Sequence, residues 1–299
     1  MKRFLTICGA LSLSFASVAG AQDIPAEYQQ VLTALGKTGD FKENVLKVNL
    51  PRNDVKVMVA GIDTPTPFGF GGWIALTRAS DGGQVLMGDL VLLESEVNPV
   101  MSALLDNGLD VTALHNHFFH DEPHMFYMHV HGHGAAADLA RRIKPAVDLI
   151  GKGRPAVPQT SANQLDGTKL ARIVGHAGEQ TGAVYKITIG RDDLKMTEMG
   201  APINARMGLN TWAAFTGSNE KAAIAGDVAM LESEVTPVLK ALRQHGLEVV
   251  AIHHHMTTDR PMVIFLHYWG TGPAETLASS FTAALSELGK HGAPGTIAK

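Results

Sequence analysis

Residues 111–133 read VTALHNHFFHDEPHMFYMHVHGH, and residues 249–269 read VVAIHHHMTTDRPMVIFLHYW. The first stretch holds His115, His117, His120, His124, His129, His131 and His133, half of the chain's 14 histidines. Two runs rich in β-branched and aromatic residues, Val111–Phe119 and Met125–Val130, flank the polar turn His120-Asp121-Glu122-Pro123, which is the pattern of a β-hairpin. Side chains on a strand alternate faces, so His115 and His117 share one. With the turn centred near Glu122, His115 lies opposite His129 and His117 opposite Tyr127. Directly opposed residues of an antiparallel pair also share a face. The spacing therefore predicts His115, His117 and His129 on one patch, with His131 one pleat further on. A slip of one residue would send His129 to the other face.

The second stretch repeats the first. His253, His255 and His267 follow His115, His117 and His129 at a constant offset (253 − 115 = 138), and Asp259 and Pro261 follow Asp121 and Pro123. His120, His124 and His131 are replaced by Thr258, Met262 and Trp269. What both copies keep is His-x-His, eleven residues, His. Upstream, Gly88-Asp89 through Pro99-Val100 matches Gly226-Asp227 through Pro237-Val238 at the same offset, and Arg52 and Trp73 match Arg191 and Trp212 one residue further apart. Two homologous units follow, 23–150 and 164–295, joined by a Pro/Gly/polar linker at 151–163. Each unit reads as a short helix ending at Gly36 or Gly175, several strands, a helix capped by Asn98 or Thr236 with Pro99 or Pro237 at its first position, a stop at Gly108 or Gly246, the histidine hairpin, and a closing helix over 135–150 or 275–288. The expected class is α+β: two tandem units, each a mixed or antiparallel sheet with helices on one face and a His-bearing hairpin.

At 299 residues, 45% hydrophobic and 18% charged, the chain has room for two cores, and its net charge of −4 gives no reason to expect nucleic acid. Residues 1–21 read as a secretory leader: Lys2 and Arg3, an apolar run from Phe4 to Val18, and Ala19-Gly20-Ala21 as the cleavage site. That run is too short to predict a membrane span. Cys8, the single cysteine, would leave with the leader, so neither disulfides nor thiolate ligands are expected. A periplasmic or secreted protein is the expectation.

Three neutral imidazoles on one face are a first shell for zinc, and secondarily for copper. Glu94 and Glu96, with Glu232 and Glu234 as their repeats, sit between a strand end and a helix start. They serve there either as carboxylates at the positive end of the helix dipole or as a fourth ligand or general base. Asp89 and Asp227 are candidates for the same ligand or base role but read first as turn residues, and Trp73 and Trp212 read as core or as a cleft wall. The expected function is an exported metal-binding protein, acting as a metal-dependent hydrolase with Glu94 or Glu96 as base. The alternative is a non-catalytic periplasmic ligand-binding or metal-sequestering protein that holds an unidentified small molecule between the repeats. A third reading is a structural duplicate with no site. The oligomeric state is left open.

The motif Gly-Asp-x4-Glu-x-Glu-Val-x-Pro-Val followed by Ala-Leu-His-Asn-His resembles the LppY/LpqO family of secreted proteins and lipoproteins, over nearly the whole chain beyond the leader and in both copies. The resemblance implies a tandem architecture and export, and no particular reaction.

Overall fold

The computed structural model describes residues 23–159 and 164–290. The predicted leader at 1–21, residues 160–163 of the linker and the last residues of the second unit lie outside the described residues.

The first unit runs α1 (Ala26–Leu35), β1 (Asp40–Lys42), β2 (Val45–Pro51), β3 (Val57–Val59), β4 (Ile62–Thr64), β5 (Gly71–Arg78), β6 (Gln84–Leu93), α2 (Glu94–Asp106), β7 (Asp110–His115), β8 (Asp121–Glu122), β9 (Met125–Gly134) and α3 (Ala136–Val147). The second runs α4 (Gly167–Val174), β10 (Gly178–Thr181), β11 (Val184–Gly190), β12 (Met196–Glu198), β13 (Ala201–Ile203), β14 (Asn210–Gly217), β15 (Ala222–Leu231), α5 (Glu232–Gln244), β16 (Glu248–His254), β17 (Val263–Gly272) and α6 (Ala274–Leu285). Each unit builds one six-stranded sheet, in the order β1-β2-β5-β6-β9-β7 and β10-β11-β14-β15-β17-β16. Neighbouring strands are antiparallel throughout both sheets. The chain is thus two tandem homologous α+β domains of mainly antiparallel sheet with few helices.

Strand alternation sorts the side chains of the first sheet. Leu46, Val48, Ile74, Leu76, Leu90 and Val130 point to one side and pack with Leu32, Val100, Leu104, Leu139 and Ile143 of the helices. The opposite face meets the other unit. Val45, Ala75, Val85 and Met87 pack against Met196, Ile203, Met207 and Leu209, an arm of the second unit. Reciprocally, Val57, Val59, Phe68 and Phe118 of the first unit pack on Ala214, Ala223, Ala225 and Trp269. Both faces of each sheet are therefore covered, which is why all ten residues of β15 are buried and all but Asp227 are apolar or glycine. The layers run helix, sheet, sheet, helix, and the histidine strands β7 and β16 are the sheet edges that meet between the units.

Two local expectations are corrected. Helices α2 and α5 start at Glu94 and Glu232, not after Asn98 and Thr236, with Leu93 and Leu231 as the flanking residues. Glu96 and Glu234, at the third helical position, accept the free N–H of Leu93 and Leu231, each at 2.8 Å, so the carboxylates begin the helices. The hairpin register is also shifted: Ala113 faces His129 and His115 faces Tyr127, with a bulge between Val111 and Ala113. The connection instead pairs with β3 of the same unit, Asp121 opposite Val59 and Glu122 opposite Met58. A shift of two residues keeps every side chain on its face.

Candidate metal centre between the repeats

Edge strands β7 and β16 lie side by side, and Thr112 Oγ1 donates to the His255 carbonyl at 2.7 Å. This contact brings the two His-x-His motifs together across a pseudo-two-fold axis. The His115 and His253 rings, equivalent in the repeat, lie 3.8 Å apart between centroids. His117 stacks on His267 at 3.6 Å, and the matching pair, His129 and His255, lies at 4.2 Å. His115 Nε2 is 2.9 Å from His129 Nε2. Outward of these rings, His117 stacks on Tyr127 at 3.3 Å and His255 on Phe265 at 3.4 Å.

The sets of donors that converge are mixed. Nitrogens of His115, His253 and His267 lie within 4.8 Å of one another, as do those of His129, His253 and His255. Sequence reasoning placed one triad within each repeat; the structure brings together triads drawn from both, with His253 common to the two. The reason is that β7 and β16 are edge strands whose histidines point at the opposite sheet.

Five of the six are buried; His115 is partly exposed. Both ring nitrogens of His117 and of His253, and Nε2 of His267, have no hydrogen-bond partner among the described residues. Burial holds His117, His129, His253, His255 and His267 well below the usual imidazole range, and the neighbouring imidazoles add to it. His115 is pushed down to about 3, mainly by burial. The cluster is therefore a set of neutral imidazoles with free lone pairs, the protonation state that ligates a metal.

The remaining predicted residues lie elsewhere. Glu94 is exposed at the start of α2. Glu96 Oε2 accepts from Arg52 at 2.6 Å and from Leu93 N, and Oε1 accepts from Arg52 at 3.2 Å and from Gly151 N at 2.8 Å. With both oxygens taken by a buried guanidinium and backbone N–H groups, Glu96 is a structural carboxylate rather than a base. Glu234 repeats the arrangement with Arg191 at 2.9 and 3.1 Å. Asp89 and Asp227 are not turn residues: they sit mid-strand opposite His129 and His267.

Those aspartates line a cavity of about 220 Å³ with Lys47, Lys186, Trp73, Trp212, His117, His255 and His267. Lys47 Nζ lies 4.4 Å over the Trp73 ring and Lys186 Nζ 4.0 Å over Trp212. Burial pushes both lysines down to about 8, Lys47 with help from Lys186. Burial and Asp227 push Asp89 up to about 7, and burial raises Asp227 well above its usual range. Sequence reasoning missed the lysines because a lysine in an amphipathic strand reads as a solvated position; their spacing from the tryptophans, the same in both repeats, was the available signal. It also missed Glu198, which lies 3.5 Å from His131 with both groups buried.

The family model described as Domain of Unknown Function (DUF1259) matches residues 29–149 and 168–287. That match replaces the resemblance to the LppY/LpqO family. No curated protein matches the chain. Among solved structures, the chain is similar to a double ringed trimeric shell protein, MSM0271, from the RMM microcompartment, at 16% identity over 70% of this chain and 90% of that one, TM-score 0.20. It is similar to EtuB from Clostridium kluyveri at 11% identity over 84% and 91%, TM-score 0.21. It is similar to the trimeric bacterial microcompartment shell protein PduB at 13% identity over 82% and 90%, TM-score 0.18. None of these three is described as a hydrolase, a secreted protein or a periplasmic binding protein. On that finding the expectations of an exported metal-dependent hydrolase, of periplasmic ligand binding or metal sequestration, and of export itself are withdrawn. At these TM-scores the likeness carries nothing further to this chain. No helix among the described residues is long and apolar enough to cross a membrane.

Proposed function

Since the chain belongs to the family described as Domain of Unknown Function (DUF1259), whose description names no reaction, we propose its function from the site alone: it binds a divalent transition metal, zinc first and copper second, in a centre shared between its two repeats. The observation that carries this reading is the six-histidine cluster, three residues from each unit, in which five place donor nitrogens within 4.8 Å in two mixed triads that share His253, with buried ring nitrogens of His117, His253 and His267 lacking protein partners among the described residues. A buried polar atom without a hydrogen bond costs about 1–3 kcal/mol, and several side by side call for a ligand that satisfies them together. All-nitrogen donors suit zinc, copper and nickel rather than magnesium or calcium. When bound, the metal supplies a Lewis-acidic centre with room for a further donor.

The cavity beside the cluster supplies that donor's place. Its two lysines, each without an ion-pair partner among the described residues, favour a small anion that reaches His117, His255 and His267 from the Lys47–Lys186 side. The chain's own groups divide the work: the imidazoles hold the ion, the tryptophans hold the lysines, and the lysines orient the anion.

The test is elemental analysis of the purified full chain after chelation and reloading with zinc. Stoichiometric zinc in the wild type, lost in His253→Leu, supports the reading. A wild type that takes up no zinc, copper or nickel ends it.

A further inference from the structure

The duplication makes the histidine cluster two-fold in sequence, but its surroundings are not two-fold. The repeat offset of 138 pairs His131 with Trp269, and the offset of 139 that holds upstream pairs Glu198 with Val59. These four residues occupy two equivalent places across the interface. At one end, β12 of the second unit carries Glu198 to 3.5 Å from His131. At the other, β3 of the first unit carries Val59 into the same apolar cluster as Trp269. There Trp269 stands edge-on to Phe68 at 5.9 Å and to Phe118 at 5.6 Å. An apolar pair at one end has been exchanged for a carboxylate–imidazole pair at the other, on both partners at once.

The polar end is costly unless something compensates it. Glu198 is 0% exposed and His131 1%, and both Glu198 oxygens and His131 Nδ1 lack hydrogen bonds among the described residues. Met87, opposite His131 in the sheet, and Met196, two residues before Glu198 on β12, belong to one apolar cluster. Asp259, also buried, adds a second acidic group whose interaction with Glu198 is unfavourable. Taking an unpaired carboxylate out of water costs several kcal/mol even after relaxation. A cation held nearby offsets that cost. His131 lies two residues beyond His129 on β9, so its side chain is on the same face, one pleat further along. A carboxylate behind a ligating histidine fixes the ring and raises its basicity, a recurrent arrangement in metal sites.

We infer that the two ends of the cluster are chemically unequal: the tight metal site is the His129–His253–His255 end, with His131 added to its donors and Glu198 as the positioning residue that holds His131, while Trp269 closes the opposite end. This inference rests on the metal-binding reading above and adds which half of the duplicated cluster works.

The repeat provides its own control. His117 and His255 are equivalent residues, so a symmetric centre loses zinc affinity equally in His117→Gln and His255→Gln. Full-length protein is titrated with zinc(II), with folding checked by circular dichroism. The expected result is near wild-type affinity in His117→Gln, loss of at least 100-fold in His255→Gln, and 10- to 100-fold in His131→Gln and Glu198→Gln. Equal losses in His117→Gln and His255→Gln, or wild-type affinity in both His131→Gln and Glu198→Gln, overturn the asymmetry while leaving metal binding intact. A wild type that binds no metal overturns the underlying reading instead. Cobalt(II) NMR of the wild type needs no variant and decides the matter should one fail to fold. Paramagnetically shifted ring signals from His131 and His255 support the proposal; such signals from His117 in their place overturn it.

Discussion

His253→Leu separates a ligand from a structural histidine. The His253 ring lies 3.8 Å from His115, 4.9 Å from His267 and 5.4 Å from His129, and it belongs to both donor triads. It is 9% exposed and neither of its ring nitrogens has a protein partner. Leucine is close in volume and carries no lone pair. In metal-free protein the substitution therefore removes two unsatisfied acceptor or donor sites, each costing about 1–3 kcal/mol, at little cost in packing. The apo variant should be as stable as wild type or more so. Metal reverses the order. Zinc at 100 times its dissociation constant stabilises the wild type by about 2.7 kcal/mol. For a protein of this size each kcal/mol moves Tm by about 2–4 °C, so the wild type should gain roughly 5–11 °C. The variant should gain nothing. The assay is thermal unfolding followed by circular dichroism in chelator and in zinc, with bound metal counted by elemental analysis. An apo variant destabilised by more than about 2 kcal/mol would mean that His253 makes structural contacts the geometry does not contain, and a variant that keeps the zinc-induced shift would refute its place in the centre.

Four further outcomes are expected. Glu234→Gln, which strips a buried carboxylate from Arg191, should cost about 3–5 kcal/mol in urea unfolding and leave zinc stoichiometry unchanged. The same assay should place Glu94→Gln, on the exposed start of α2, within about 0.5 kcal/mol of wild type. Metal-free protein should lose stability as pH falls below the unfolded histidine pKa of about 6.5. Its buried imidazoles have depressed folded pKa values, so the unfolded chain binds more protons and stability rises with pH across that window. Each histidine contributes roughly 1.4 kcal/mol per pH unit, and denaturation midpoints that stay level from pH 7 to 5 would contradict the assignment. Finally, azide should change the visible spectrum of the cobalt(II) form, with affinity reduced about tenfold or more in Lys47→Met and Lys186→Met if the cavity lysines orient the anion. Equal azide affinity in wild type and both variants would remove the lysines from that role.

The amino-acid order alone determined the duplication, the α+β class and the shared face of each His-x-His…His motif. A strand's two-residue period places His115, His117 and His129 on one side however far the pairing slides by an even step, so the two-residue error in register did not matter. Helix starts were misread at Asn98 and Thr236 because each is a good capping residue followed by proline, a start signal that here lies inside the helix; Glu96 and Glu234 resembled catalytic acids until Arg52 and Arg191 were seen closing on them. Only the tertiary structure decided that the two histidine faces confront each other. Local periodicity says which side a residue takes, but not what lies across from it. That depends on edge strands β7 and β16 meeting between the units and on each unit's arm covering the other's sheet. The same packing turned two expected sites into one shared cluster, and it brought Glu198 to His131 from 67 residues away (198 − 131 = 67), a contact that no spacing rule within a single repeat contains.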